Sequence, residues 1–297
     1  MAKRAARPAT PRALIESAAR RFRRAGLFFG HGTDNALDEA AFLVLHGLGL
    51  APDAGDDLLD APLDAAGLAS AEDLLTMRLK RRCPAAYLTQ RMWFAGHEFY
   101  VDERVLVPRS PLAELIIARF EPWLDADEVT RILDIGTGSG CIALACALAF
   151  PAAEVDATDL SVDALAVAAI NRARHGLEAR VRLIEANLFP VDGARYDLIV
   201  SNPPYVPATR MAELPREYLE EPAMALVAGD EGLACVDGIL ARAAEYLAPD
   251  GVLVVEVGEI AAAVDQRYGH LPLTWVEFEH GGEGVFVITR EDLARAA

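Results

Sequence analysis

The stretch Leu133-Asp134-Ile135-Gly136-Thr137-Gly138-Ser139-Gly140 restricts the fold of this chain more than any other. It starts as an apolar strand, passes through three alternate glycines and opens into the helical run Cys141 to Ala149. A strand that turns through glycine into a helix begins a strand–helix–strand unit. The same alternation continues downstream. Strands are expected at 131–135, 153–158, 181–184, 197–201 and 252–257, and helices at 140–149, 161–175 and 233–247. Such alternation builds a parallel, doubly wound α/β sheet. The tail departs from it. Residues 273–279 and 284–289 read as two strands joined by His280-Gly281-Gly282-Glu283, so a terminal antiparallel hairpin is expected.

The N-terminal part has a different period. Helices are expected at 11–26, 34–47 and 70–82. Thr33 or Asp34 can cap the second, and Ser70 with Asp73 has capping-box spacing for the third. Residues 52–67 read as loop with a short amphipathic piece. Phe99-Tyr100-Val101 and Val105-Leu106-Val107 flank Asp102-Glu103-Arg104, which reads as a β-hairpin. Pro108 and Pro111 then lead into a helix at 112–120. The chain is therefore expected to divide into a small helical domain at 1–92, a hairpin linker at 93–108 and an α/β domain at 109–297.

The 297 residues are 53% hydrophobic, enough for a full core, and no apolar run approaches the length of a membrane span. Lys3, Arg4 and Arg7 read as a flexible tail rather than a secretory signal, and a cytoplasmic location is expected. Cys83, Cys141, Cys146 and Cys235 form no C-x-x-C pair, and the six histidines are scattered, so no metal site is expected. A net charge of −17 argues against strong binding to duplex DNA and suits a basic protein partner. Two local cationic clusters stand against that balance: Arg20, Arg21, Arg23 and Arg24, then Lys80, Arg81 and Arg82. Each reads as a solvated face that can still touch ribosomal RNA.

The chemistry is concentrated at the ends of the expected strands. Gly136, Gly138 and Gly140, with Thr137 and Ser139 between them, let a ligand approach the backbone closely, and the helix that follows is expected to turn its N–H groups toward it. The dinucleotide fingerprint G-x-G-x-x-G needs glycine where Cys141 stands, which favours S-adenosylmethionine over a nicotinamide cofactor. Asp134 can meet the amino group of the methionine moiety, and Asp159, closing the second strand, can accept from both ribose hydroxyls or cap the next helix. Asn187 and Leu188 follow the third strand, where the adenine is expected. Asn202-Pro203-Pro204-Tyr205 follows the apolar Leu198-Ile199-Val200. The Asn202 side-chain oxygen and the Pro203 backbone carbonyl can each accept one N–H of a planar NH2 group. Proline fixes its own φ, and Tyr205 offers a flat face for stacking. These residues point to methyl transfer onto an amide or exocyclic amine nitrogen, with Asn202, Pro203, Pro204 and Tyr205 as the catalytic set.

The chain resembles the HemK family of protein glutamine methyltransferases along nearly its whole length. The segments His31-Gly32-Thr33-Asp34-Asn35, Trp93 to Tyr100, Val107-Pro108-Arg109-Ser110-Pro111 and Gly281-Gly282-Glu283-Gly284-Val285-Phe286 look like the branch that modifies the third protein of the large ribosomal subunit. The resemblance implies the class I methyltransferase architecture, a Rossmann-like and mostly parallel seven-stranded sheet. It also implies S-adenosylmethionine as methyl donor and a basic ribosomal protein as substrate. Asn187 stands where the family usually has aspartate, and Ser110-Pro111-Leu112-Ala113-Glu114 departs from the release-factor branch. Three other readings stay open: a release-factor glutamine methyltransferase, an adenine amino methyltransferase on nucleic acid, and a non-catalytic ribosome assembly factor.

Overall fold

The structure is a computed structural model that describes residues 9–191 and 193–296; the basic Lys3, Arg4 and Arg7 lie outside the described residues. Contacts divide the chain into two units. One runs up to Arg91 and also takes Pro215–Glu220; the other comprises Met92–Leu214 and Glu221–Ala297.

The first unit is helical: α1 (Pro11–Arg24), α2 (Ala36–Gly47), α3 (Asp56–Leu59), α4 (Ala65–Arg81) and α5 (Ala85–Thr89). Its core joins Leu14, Ala18, Phe22, Leu43, Leu75 and their neighbours, one apolar stripe from each helix. Two caps differ from expectation. Asn35, not Thr33 or Asp34, caps α2, because its Oδ1 accepts from both Leu37 N and Asp38 N at 3.0 Å. Helix α4 starts at Ala65 rather than Ser70, because Asp64 accepts from Gly67 N at 2.7 Å and alanines extend the first turn.

A buried ionic cluster holds this unit. Arg78 Nε donates to Glu39 Oε1 at 2.7 Å, Nη1 to Glu217 Oε1 at 3.3 Å, and Nη2 to the Phe28 carbonyl at 2.8 Å. Arg82 reaches the same Glu217 oxygen at 3.1 Å and caps the end of α1 through the Ala25 and Gly26 carbonyls. Of the two cationic clusters, Arg21 is taken up by Glu72 and Arg82 by this network, while Arg20, Arg23, Arg24, Lys80 and Arg81 stay exposed.

The second unit opens with a short antiparallel pair, β1 (Met92–Phe94) and β2 (His97–Phe99). The hairpin expected at 99–101 and 105–107 therefore lies earlier in the chain. Its turn is Ala95-Gly96, with φ of 47° and 80°. Asp102 instead ties down its own loop, accepting from Tyr100 Oη and from the Arg104 backbone and guanidinium. Helix α6 (Leu112–Ile117) follows.

The main sheet has seven strands in the order β5-β4-β3-β6-β7-β9-β8. Strands β3 (Arg131–Ile135), β4 (Glu154–Asp159), β5 (Val181–Glu185), β6 (Tyr196–Ser201) and β7 (Leu247–Glu256) are parallel. The last two, β8 (Thr274–Trp275) and β9 (Val285–Thr289), pair antiparallel to each other, and β9 to β7. Between and after them lie α7 (Cys141–Ala149), α8 (Val162–Arg174), α9 (Ala234–Leu240), α10 (Ala243–Tyr246), α11 (Ala261–Tyr268) and α12 (Arg290–Ala296). The central strands bury both faces: Ile132, Leu198, Val200 and Val254 pack with α6 and α7, and Leu133, Ile135, Ile199 and Val255 with α9 and α10. The single helix expected at 233–247 is broken in two, and β7 begins at Leu247, earlier than the expected 252. Among the described residues no helix is long and apolar enough to cross a membrane, and no His, Cys, Asp and Glu cluster could hold a metal ion.

Candidate active site

Strand order reverses between β3 and β6, and in open α/β sheets that switch point forms a crevice at the carboxyl ends of the strands. The register brings the predicted residues there. Ile135 pairs with Ser201, and Ser201 with Val255. One residue further on stand Gly136, Asn202 and Glu256, at the ends of three adjacent strands. Ser201 Oγ donates to the Ile135 carbonyl at 2.7 Å and fixes the first two ends to each other.

The glycine turn is held from within. The N–H groups of Gly136 and Thr137 both donate to the Thr158 carbonyl, Gly140 N donates to the Thr137 carbonyl, and Gly138 N donates to Asp159 Oδ2. These four N–H groups therefore serve the turn itself, and of those that open α7 the Ala143 N–H is taken by Asp134 Oδ2. What the turn offers is space: a Cβ at Gly136 or Gly138 would meet nothing within 4 Å. Gly140, at φ 82°, sits close on α8, where a Cβ would come 3.1 Å from Ala168 Cβ. Ser139 is buried, and its carbonyl accepts from Asn171 Nδ2, which also binds the Tyr100 carbonyl.

Asp134 is fully buried under this turn. Its Oδ2 accepts from Thr137 Oγ1 at 2.6 Å and from Ala143 N at 3.1 Å, while its Oδ1 has no hydrogen-bond partner. Burial pushes its pKa up to about 7, against the pull of those two bonds. A buried carboxylate oxygen left open beside a glycine cradle fits the ammonium group of S-adenosylmethionine. Asp159, expected to face a ribose or to cap the next helix, does not itself cap α8. Its Oδ1 accepts from Ser161 N, while Ser161 itself caps α8. Burial raises its pKa as well.

After β5, Asn187 is exposed and Leu188 takes φ 66°, with its carbonyl accepting from Thr158 Oγ1 at 2.7 Å. That conformation is rare for a leucine, and the bond helps hold it. The next residue, Phe189, is core: it stacks on Tyr246 with centroids 4.4 Å apart.

Asn202 to Tyr205 leave the end of β6. Pro203 is buried, and Val206, next in line, bridges to Val227. The Tyr205 ring lies against the backbone of Gly258, so closely that a Cβ there would sit 2.8 Å from Cε2. Tyr205 Oη donates to Glu256 Oε1 at 3.4 Å, and Ser110 Oγ binds Glu256 Oε2. Arg109 makes a bidentate pair with buried Glu221 at 2.6 and 2.7 Å. Ser110, Glu256 and Gly258 are the neighbours that reading the sequence missed. Glu256 carried a signal, as the one charged residue closing the apolar run Val252 to Val255.

Comparison with known proteins agrees with this geometry. The model of the methyltransferase small domain family matches residues 115–264. The ribosomal protein uL3 glutamine methyltransferase of Neisseria meningitidis serogroup A is 48% identical over 285 residues, 96% of this chain and 94% of that protein. The protein of the same name from Bordetella pertussis is 48% identical and covers 96% of each chain. The hMettl16 catalytic domain, solved with an RNA hairpin, shares the fold at a TM-score of 0.51 and 16% identity, covering 74% of this chain and 79% of that one. The chain belongs to the methyltransferase small domain family and, within it, to the family of ribosomal protein uL3 glutamine methyltransferases.

Proposed function

We propose that this site transfers a methyl group from S-adenosylmethionine to the side-chain amide nitrogen of a glutamine in ribosomal protein uL3. The observation that carries the reading is the Asn202-Pro203-Pro204-Tyr205 turn at the end of β6, beside the glycine turn of β3, in a chain alike over nearly all its length to enzymes of that name. S-adenosylmethionine supplies an electrophilic methyl group. Asp134 and the open faces of Gly136 and Gly138, with Thr137, Ser139 and Gly140 shaping the turn, hold its methionine end. Asp159 faces its ribose, and Asn187 and Leu188 its adenine.

The chain's own contribution is positioning. The Asn202 Oδ1 and the Pro203 carbonyl accept the two N–H bonds of the substrate amide, which fixes the plane of its nitrogen and discourages conjugation of the lone pair into the carbonyl. Tyr205, its ring set by Gly258, would stack on that plane. The nitrogen gains the methyl group and releases one proton afterwards, so no strong base is needed before transfer. Alignment of this kind can supply on the order of 7–11 kcal/mol of a barrier. A ribosomal protein substrate supports a cytoplasmic location. The exposed Arg20, Arg23, Arg24, Lys80 and Arg81 give the helical unit a face for ribosomal RNA.

Transfer of labelled methyl, offered side by side to purified uL3, a release factor and unmethylated DNA and mapped by mass spectrometry, tests the reading. Label on a uL3 glutamine is the expected result; label on either of the others alone overturns the substrate. Asn202→Ala should lower turnover about a hundredfold or more while cofactor affinity stays within about twofold. Near-normal turnover would remove Asn202 from the mechanism.

A further inference from the structure

A carboxamide has two ends of nearly the same shape and opposite function: an oxygen that accepts and an NH2 that donates. The role given to Asn202 needs the oxygen to face the substrate, because the substrate nitrogen brings only donors. Turned over, Asn202 would set NH2 against NH2. Something in the protein must choose between the two.

Glu256 stands in the right place to choose. It ends β7 one residue past the Ser201–Val255 pair, as Asn202 stands one residue past the end of β6, and it is only 4% exposed. Two hydroxyls donate to its carboxyl, Ser110 Oγ on Oε2 and Tyr205 Oη on Oε1, and the side chain of Asn202 stands beside it at the neighbouring strand end. An ionised carboxyl carries only acceptors, so the end of the Asn202 carboxamide that it can take is Nδ2. We infer that Glu256 is a positioning residue that captures the Nδ2 end of Asn202 and thereby turns Oδ1 toward the substrate amide. This rests on the reading of Asn202 as the acceptor of that amide.

The device works in either protonation state. Burial pushes the Glu256 pKa up to about 7, while Ser110, Tyr205, Asn202 and the nearby Arg109 charge pull it down. When the carboxyl holds a proton, the Ser110 or Tyr205 hydroxyl can rotate to accept it. The other carboxyl oxygen still accepts from Asn202. Orientation, not proton removal, is thus the function, and a neutral acceptor of the same shape will serve. In Glu256→Gln the carbonyl can take Asn202 while the NH2 donates to Ser110 Oγ. In Glu256→Met the volume is nearly kept and the acceptor is gone.

Steady-state methyl transfer to purified uL3 is compared for the wild type, Glu256→Gln, Glu256→Met, Asn202→Ala and the Asn202→Ala/Glu256→Met double variant. Cofactor affinity is measured by calorimetry, and melting is followed for each. Glu256→Gln should keep kcat within about threefold, and Glu256→Met should lose about thirtyfold or more, with KM and cofactor affinity little changed. The double variant should be no slower than Asn202→Ala alone. Equal rates for Gln and Met at the wild-type level overturn the inference. Equally slow rates overturn it in favour of a carboxylate proton acceptor. Additive losses in the double variant overturn it in favour of a general packing role. Near-normal turnover in Asn202→Ala alone sinks the underlying reading instead, and is seen separately. A measurement on the unmodified protein stands whether or not the Met variant folds. The Nδ2–H2 resonances of Asn202, assigned by their loss in Asn202→Ala, should be protected from solvent exchange; free exchange overturns the inference.

Discussion

Leaving one oxygen of a buried carboxyl without a donor is costly, and Asp134 does so at the floor of the glycine turn. In the free protein the group avoids part of that cost by holding a proton up to about pH 7. An ammonium partner needs it ionised and will hold it so at lower pH. Below about 7, binding must therefore expel a proton, so affinity for S-adenosylmethionine should rise with pH up to that value and fall again above about 8, where the ligand's own α-amino group loses its proton. The slope approaches at most about tenfold per pH unit. Calorimetry from about pH 5.5 to about 8.5 reads it, and Asp134→Asn should be weaker and should lack this carboxyl's contribution to the slope. A wild-type profile unchanged by that substitution would take Asp134 out of cofactor binding. Asp134 could be picked out in the sequence because it sits inside a motif. Glu256 was passed over because it sits inside none, and its meaning depends on which strand lies beside it.

At the scale of elements, the turn after β7 sets the ring that the turn after β6 presents. Gly258 has φ 48°, and its missing Cβ leaves the room that the Tyr205 ring fills. Gly258→Ala should push that ring off its seat and lower kcat about tenfold or more, with cofactor affinity little affected, as steady-state kinetics and calorimetry would read. Unchanged kcat would mean that Tyr205 packing is incidental. The strands around these turns were legible because a parallel strand buried on both faces is written as an unbroken apolar run, as in Leu198-Ile199-Val200. Element starts were less so. Asp64 and Asn35 took caps that neighbouring residues of similar chemistry were equally equipped to take. The early hairpin was hidden because Ala95, a poor residue for positive φ, makes half of its turn. The Asp102 loop that imitated a turn signal is held by its own side-chain bonds.

For the molecule as a whole, the charge of −17 acts over distance and not at the reacting atoms. Attraction of a basic ribosomal substrate by this charge predicts that raising salt from about 50 mM to about 500 mM lowers kcat/KM severalfold and leaves kcat nearly constant. A salt-independent kcat/KM would mean that the acidity serves solubility alone. The least modular feature is the short segment Pro215–Glu220, which belongs to the helical unit although it follows Tyr205 by ten residues. The chain passes between its units three times, at 91/92, 214/215 and 220/221. A graft that replaced only the residues up to Arg91 with those of a relative would bring a foreign set of cations to a resident Glu217. A carboxylate buried without its arginines costs on the order of 3–5 kcal/mol. The helical unit is thus not an interchangeable adaptor: a lineage that retargets this enzyme to another protein has to rewrite two distant stretches of its gene in step, and one of them trails ten residues behind the turn that ends β6.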